Sequence, residues 1–493
     1  MHKYNINDIS IGKNAILLSS SKIATTFIAL ISSMLLSRIL TITEYGTYSQ
    51  MLMIINLTLT LLTMGLPNST SYFLARADSM YERGRFLSVY LTAITLLSIM
   101  VGILLYCILP LIAMYFKNSQ ISLFRYFFTI YPWTLVTIAS ISNILIAYNK
   151  MRKLLAISIV HSCVLLIPIL VTKVAKLSFE NYIFLLLLSQ ISISIWIYVI
   201  IASLAKSYMP ILKFVMLKKI LHYSLPIGLA SIIGLLTIEI DKLMIGRLMD
   251  TDHLAIYANA GRELPVTIIA SSLAAVLLPQ VVHFLKRDDY MHPIYLWKAS
   301  IHLSYIIICF IVTFCFVFAT QIMTFLYSEK YIAGVDVFRI YSLTLLLRIT
   351  YFGLILNAIG RTIYILLISV FALIFNMLLN YVFFIIFGFI GPALATFITI
   401  FFTQLVQLYA SSNILKIPLT QIFPWKDIIK ISALNIFLGV SAYAIAYFFN
   451  IGTDNKSIVL SVLICILFLF IYIIIVRKKT ICLWKILNTS AST

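Results

Sequence analysis

Charge is scarce in this chain. Only 11% of its 493 residues are Asp, Glu, Lys or Arg, with 16 acids set against 36 bases. A soluble protein of this length needs far more charged surface, so a water-exposed globular fold is excluded. Glycine (16) and proline (12) are too few for a collagen-like or low-complexity chain. The six cysteines, Cys107, Cys163, Cys309, Cys315, Cys465 and Cys482, lie in or beside apolar segments without metal-ligand spacing. They read as small buried hydrophobes, and no metal site is expected. There is no P-loop, HExxH, CxxC or nucleophile elbow, so the chain reads as a non-enzyme without a cofactor.

What remains is apolar. Hydrophobic residues make up 62% of the chain and the mean hydropathy is +1.06. Fourteen segments are long enough to cross a hydrocarbon core of ~30 Å, which makes this an all-α polytopic membrane protein. They run over 14–37, 47–73, 86–113, 123–147, 154–174, 181–204, 223–247, 255–282, 298–326, 333–358, 363–387, 389–411, 428–450 and 457–476. The net charge of +20 does not indicate nucleic acid, because the bases recur in short clusters between apolar segments. Those clusters crowd one set of helix ends, from Lys3 and Lys13 to Arg477, Lys478 and Lys479. By the positive-inside rule both termini are cytoplasmic.

The chain also repeats itself. Arg38 ends one segment and Tyr48 follows ten residues on; Arg247 ends another and Tyr257 follows ten residues on. Leu66-Pro67 and Leu278-Pro279 then close the next segment of each copy. Six segments per copy is an even number, so the copies enter the membrane from the same side as parallel repeats. The expected organisation is an N-terminal lobe over 1–204, a cytoplasmic linker over 205–222 and a C-terminal lobe over 223–411. Two further helices and a tail occupy 412–493. The lobes are expected to be pseudo-symmetric six-helix bundles.

A charge on a membrane helix is expensive and commonly faces a wet cavity. The densest set lies at Glu239, Asp241 and Lys242 on one segment and Arg262 and Glu263 on the next. Counted from the turn near Thr251, the two groups lie at similar depth, so they can pair across the hairpin. Glu239 and Lys242, three residues apart, can also meet along one helix face. One reading is a static ion-pair cluster holding two helices together. The other is a gating or ion-coupling device in which Glu239, Asp241 and Glu263 exchange partners or a proton. His161 and His302 read as core histidines.

The stretch Ser37-Arg-Ile-Leu-Thr-Ile-Thr-Glu-Tyr-Gly-Thr-Tyr-Ser49, leading into Met64-Gly-Leu-Pro67, resembles the bacterial polysaccharide flippases. So does Glu239-Ile-Asp-Lys-Leu-Met-Ile-Gly-Arg247, followed by Ala255-Ile-Tyr-Ala-Asn-Ala260. These are O-antigen or capsule repeat-unit translocases of the multidrug/oligosaccharidyl-lipid/polysaccharide exporter superfamily. The resemblance implies alternating access in the bacterial cytoplasmic (inner) membrane. It implies transfer of an undecaprenyl-diphosphate-linked oligosaccharide from inner to outer leaflet, alongside a polysaccharide polymerase and glycosyltransferases. Arg38 and Gly46 match its pattern as a structural turn at the membrane edge. Given such a substrate, Lys22 and Arg348, on membrane segments, become candidates to hold the diphosphate, with Lys242 and Arg262 beside them. Transport would draw on a proton or sodium gradient, on downstream polymerisation, or on neither.

Three rivals stand against this. A drug/cation antiporter of the same superfamily should have a more acidic and aromatic cavity. A membrane glycosyltransferase or polymerase needs a large outer loop, which this chain lacks. A non-transporting scaffold of a polysaccharide assembly complex needs none of these charges.

Overall fold

The computed structural model describes residues 8–63, 65–77, 79–148, 150–205, 209–262, 264–285, 287 and 289–489. These form helices, short 3-10 turns and loops, with no strand among the described residues. Nine helical stretches among them are long and apolar enough to cross a membrane, one of which, Ile363–Leu415, comprises two successive helices. Large apolar side chains such as Leu367, Phe371 and Ile474 are exposed along these helices, as lipid contact requires. The chain is a multi-pass membrane protein.

The chain divides into two compact units, one ending at Ala255 and the other beginning at Ile256. The first contains α1 (Asp8–Ile39), α2 (Ile42–Thr63), α3 (Leu66–Arg76), α4 (Met80–Phe116), α5 (Arg125–Ala147), α6 (Met151–Ala175), α7 (Phe179–Leu204) and α8 (Phe214–Leu248). Helix α9 (Thr251–Ala260) straddles the boundary. The second contains α10 (Thr267–Leu285), α11 (Met291–Val317), α12 (Ala319–Tyr327), α13 (Val335–Thr344), α14 (Leu354–Ala358), α15 (Thr362–Phe387), α16 (Gly391–Leu415), α17 (Leu419–Ile422), α18 (Trp425–Phe448) and α19 (Asn455–Thr489).

Polar residues at the segment ends start and stop these helices. At the start of α2, the Thr41 amide donates to Glu44 Oε2 at 2.8 Å and the Glu44 amide donates to Thr41 Oγ1 at 3.2 Å. This reciprocal pair satisfies two amides that the helix itself leaves without partners. Ser79 caps α4 in the same way, accepting from the Glu82 amide. Helices α4, α6 and α16 all stop on a lysine in the left-handed conformation: Lys117, Lys176 and Lys416. The next amide then reaches back to an open carbonyl, Asn118 to Ala113 (3.0 Å), Leu177 to Thr172 (3.1 Å) and Ile417 to Ser412 (3.2 Å). The lysine charge suits the carbonyl end of the helix dipole.

Ten of the expected segments are single helices, and four are interrupted. Segment 47–73 breaks at Gly65, whose φ of 72° favours glycine and which is followed by Pro67, lacking an amide. Segment 255–282 breaks between Gly261 and Val266, across Pro265. Segment 298–326 is offset by the single residue Phe318, with helical hydrogen bonds resuming on both sides. Segment 333–358 is the most disrupted, passing from α13 through a 3-10 turn at Leu345–Leu347 to irregular chain before α14.

The first unit packs α4 on α5, α5 on α7, and α8 on α2, α3 and α4, around Phe86, Tyr90, Ile144 and Ile197. The core of the second gathers Trp297, Phe314, Leu354 and Phe423, and it includes Leu438 of α18 and Tyr472 of α19. The Tyr472 hydroxyl donates to the Ile306 carbonyl at 2.8 Å, so the last two helices are fastened onto α11. The cysteines correct one expectation. Cys309 and Cys315 are buried, but Cys107, Cys163 and Cys482 are exposed on apolar helix surface. A thiol is apolar enough to sit there at little cost.

Candidate functional site

Helix α8 carries the charged set Glu239, Asp241 and Lys242 that the sequence singles out. Lys242 Nζ lies 3.1 Å from Glu239 Oε2, so these two meet along one helix face, with side chains only 20% and 16% exposed. Asp241 is the more deeply buried acid. It is 1% exposed, and its Oδ1 accepts from the Lys242 amide at 2.8 Å. A buried carboxylate beside an ion pair of the same helix is costly unless further partners meet it.

The C-terminal part of α8 is anchored within its own unit. Arg247 Nη1 donates to the Tyr115 carbonyl at 3.0 Å, and its guanidinium lies 5.4 Å from the Tyr115 ring. Beyond α8, Asp250 caps α9, accepting from the His253 amide (2.8 Å) and facing its ring Nδ1 (2.7 Å). Partial burial alone would raise the Asp250 carboxyl, but the bonds from His253 outweigh it and hold the group below its ordinary value. The start of α9 then bears on α2. Thr43 Oγ1 donates to Asp252 Oδ1 at 2.7 Å, and a side chain at Gly46 would meet the Thr251 carbonyl oxygen at 2.2 Å. Gly46 is thus required by close backbone approach.

Lys22 lies on α1, and no carboxylate pairs with it among the described residues. It is exposed. The hydroxyls of Thr25 and Thr26 both donate to its carbonyl, at 3.0 and 2.7 Å, a pattern that bends helices.

In the second unit, Arg348 sits at the discontinuity after α13, its amide donating to the Leu345 carbonyl at 3.0 Å. The break is held by neighbours. Trp297 Nε1 donates to Thr350 Oγ1 at 2.9 Å, and Phe352 packs between Trp297 and Phe423. Arg262 falls in the break between α9 and α10, where it is exposed and lines a small hollow with Phe338 and Tyr341. Glu263 lies outside the described residues.

Two further polar groupings join helices of the second unit. On α15 and α16, Asn376 Nδ2 faces the hydroxyls of Thr396 and Thr399 at 3.4 and 3.3 Å. Asn380 Nδ2 donates to Asn376 Oδ1 at 3.0 Å. Both asparagines are fully buried, and uncharged residues do not register in a search for intramembrane charge. The second grouping is at His302, whose Nδ1 lies 3.4 Å from Asp427 Oδ2, while Lys479 also pairs with Asp427. His302 is therefore a buried polar junction of α11, α18 and α19. His161 faces Gln190 Oε1 at 3.3 Å.

The fold matches the structure of the lipid II flippase MurJ in an inward closed conformation, with a TM-score of 0.75 and 18% identity over 94% of this chain and 99% of that one. It also matches an inward-facing multidrug resistance MATE family transporter of the MOP superfamily, at 0.63 and 16% identity, covering 80% and 95%. A Vibrio cholerae MATE transporter matches at 0.55 and 15% identity, covering 83% and 98%. These likenesses establish the fold. No curated protein sequence matches the chain. The polysaccharide biosynthesis protein family matches residues 11–284, more than half of the sequence, and the chain belongs to that family.

Proposed function

We infer that the protein is a transporter that moves a polyprenyl-diphosphate-linked oligosaccharide across the bacterial cytoplasmic membrane, from inner to outer leaflet, by alternating access. Membership of the polysaccharide biosynthesis family supports the substrate class, and the fold shared with a lipid II flippase supports the mode of transfer. Surface polysaccharide of the O-antigen or capsule type is the destination this reading favours, with a polymerase and glycosyltransferases acting beside it.

The observation that carries the reading is Lys22, a cation on a membrane helix with no acidic partner among the described residues. A lone ammonium there is costly unless an anion visits it. A diphosphate is the anion common to every lipid-linked sugar. Arg348 offers a forked donor at a helix break, suited to phosphate oxygens. Lys242 differs, because Glu239 already neutralises it, so its part is secondary. A set of basic side chains also speaks against a drug/cation antiporter, which needs acids to bind its cargo.

The test is flipping of a fluorescent polyprenyl-diphosphate oligosaccharide in proteoliposomes. Lys22→Ala and Arg348→Ala should each cut the initial rate by about tenfold, the loss of one charge-assisted hydrogen bond. Lys22→Arg should restore most of it. Full rates in both alanine variants would reject the phosphate-binding role. Transport of cationic dyes with no flipping would point to the antiporter.

A further inference from the structure

Within the second unit, α11, α13 and α18 enclose an apolar groove of about 750 Å³. Its two ends differ. At one end the Tyr305 hydroxyl and Ser432 Oγ bond at 2.6 Å, and Asn435 Nδ2 bonds the Ile431 carbonyl at 2.9 Å. Asn435 Nδ2 also faces the Tyr472 hydroxyl at 3.3 Å, while its buried Oδ1 has no hydrogen-bond partner among the described residues. At the other end lie Phe316, Tyr443 and the ion pair of Asp336 and Arg339, with Arg339 Nη1 2.8 Å from Asp336 Oδ1.

The groove has the length of one leaflet. Ser432 to Tyr443 along α18 spans roughly 16 Å at 1.5 Å per residue. Half of a ~30 Å hydrocarbon core is about 15 Å. One acyl chain fills that depth, whereas an undecaprenyl chain is far longer and would overrun it.

The mouth carries both signs of charge in reach of solvent, Asp336 being 61% and Arg339 34% exposed at the side chain. A guanidinium has five N–H donors, and Arg339 uses two of them on Asp336 and the Phe316 carbonyl, leaving donors for a phosphate. Asp336 can accept from a primary ammonium. A neutral pair of this kind complements a zwitterion and offers little net attraction to a diphosphate.

We propose that the groove holds one acyl chain of a membrane phospholipid whose headgroup carries both a phosphate and a primary ammonium, seated on Arg339 and Asp336. Phosphatidylethanolamine has that chemistry. The lipid belongs to the leaflet facing the Asp336–Arg339 end, and it binds α18 to α11 and α13.

Native mass spectrometry of the delipidated full-length protein tests this, with phosphatidylethanolamine and phosphatidylglycerol of identical acyl chains added in turn. The wild type should retain phosphatidylethanolamine about tenfold better, the ratio that one charge-assisted hydrogen bond supports. Asp336→Asn should remove that preference while leaving chain binding. Val440→Phe, at a groove position whose side chain is largely exposed, should fill the groove and abolish retention of both lipids without lowering the melting temperature. Equal retention of the two lipids by the wild type overturns the headgroup assignment, and unchanged retention by Val440→Phe overturns the groove. Displacement of phosphatidylethanolamine by equimolar undecaprenyl diphosphate overturns the proposal in favour of a substrate tail site, a result separable from the flipping assay.

Discussion

The indole Nε1 of Trp297 donates to the hydroxyl of Thr350 at 2.9 Å, across the point where the tenth apolar segment stops being a helix. Gly353 lies only at the far end of the irregular stretch, so local propensity alone does not place the start of the break at Leu345. Backbone groups at membrane depth must find partners, and an irregular stretch persists only where neighbouring protein supplies them. Trp297, fully buried on α11, supplies a side-chain anchor at this break rather than a backbone partner, and the half-buried Arg348 lies beside it.

If the Trp297–Thr350 bond holds the break, its two partners should be energetically coupled. Thr350→Val is expected to cost about 1 kcal/mol, the net worth of one buried hydrogen bond. Trp297→Phe should cost more, because it also opens a cavity. The double variant should fall short of additivity by about 1 kcal/mol. Thermal unfolding of the four proteins in detergent measures this, and strict additivity would remove the bond from the account.

Two glycines on membrane helices should respond in opposite directions. A Cβ at Gly46 would lie 2.2 Å from the Thr251 carbonyl oxygen, which belongs to backbone and cannot rotate away. Gly46→Ala should therefore destabilise by about 1–3 kcal/mol through overpacking. Gly234 lies inside α8, where an added Cβ would meet nothing within 4 Å, so Gly234→Ala should be neutral or stabilise by up to about 1 kcal/mol. Melting temperatures and the monodisperse yield of each variant in detergent provide the comparison.

These cases show what was legible in the sequence. The segments could be read because they are uniformly apolar, but their ends could not: 47–73 and 86–113 begin five and six residues inside the helices that Thr41 and Ser79 start at Ile42 and Met80. The meeting of Glu239 and Lys242 follows from their spacing alone. The breaks were harder, because hydropathy does not fall at Phe318 or Leu345, and a tertiary contact helps to hold the second. The asparagine grouping at Asn376 and Asn380 escaped notice because buried amides carry no charge and their threonine partners lie on a different helix. The partners of His302 come from helices more than a hundred residues further along the chain, a separation that no local pattern records.

Asp250 should make stability depend on acid. Its carboxyl is held below the ordinary value, so its contribution is present above the unfolded value and is lost as pH falls through the folded one. Replacing this cap, as in Asp250→Ala, should cost about 1 kcal/mol at neutral pH. The gap in melting temperature between wild type and variant should hold down to about pH 4 and narrow below it. A gap that widens below that pH would contradict the capping role.

Asp241 offers the sharpest test of energy coupling. It is almost completely buried and adjacent in sequence to the neutralised Glu239–Lys242 pair on α8. A carboxylate so placed can carry a proton or a sodium ion, and an amide of the same shape can do neither. Asp241→Asn should therefore keep the fold and flatten the dependence of flipping on external pH or sodium. Initial rates in proteoliposomes across a pH series, with sodium exchanged for potassium, separate the two ions. A variant whose rate and ion profile both match the wild type would assign Asp241 to packing alone.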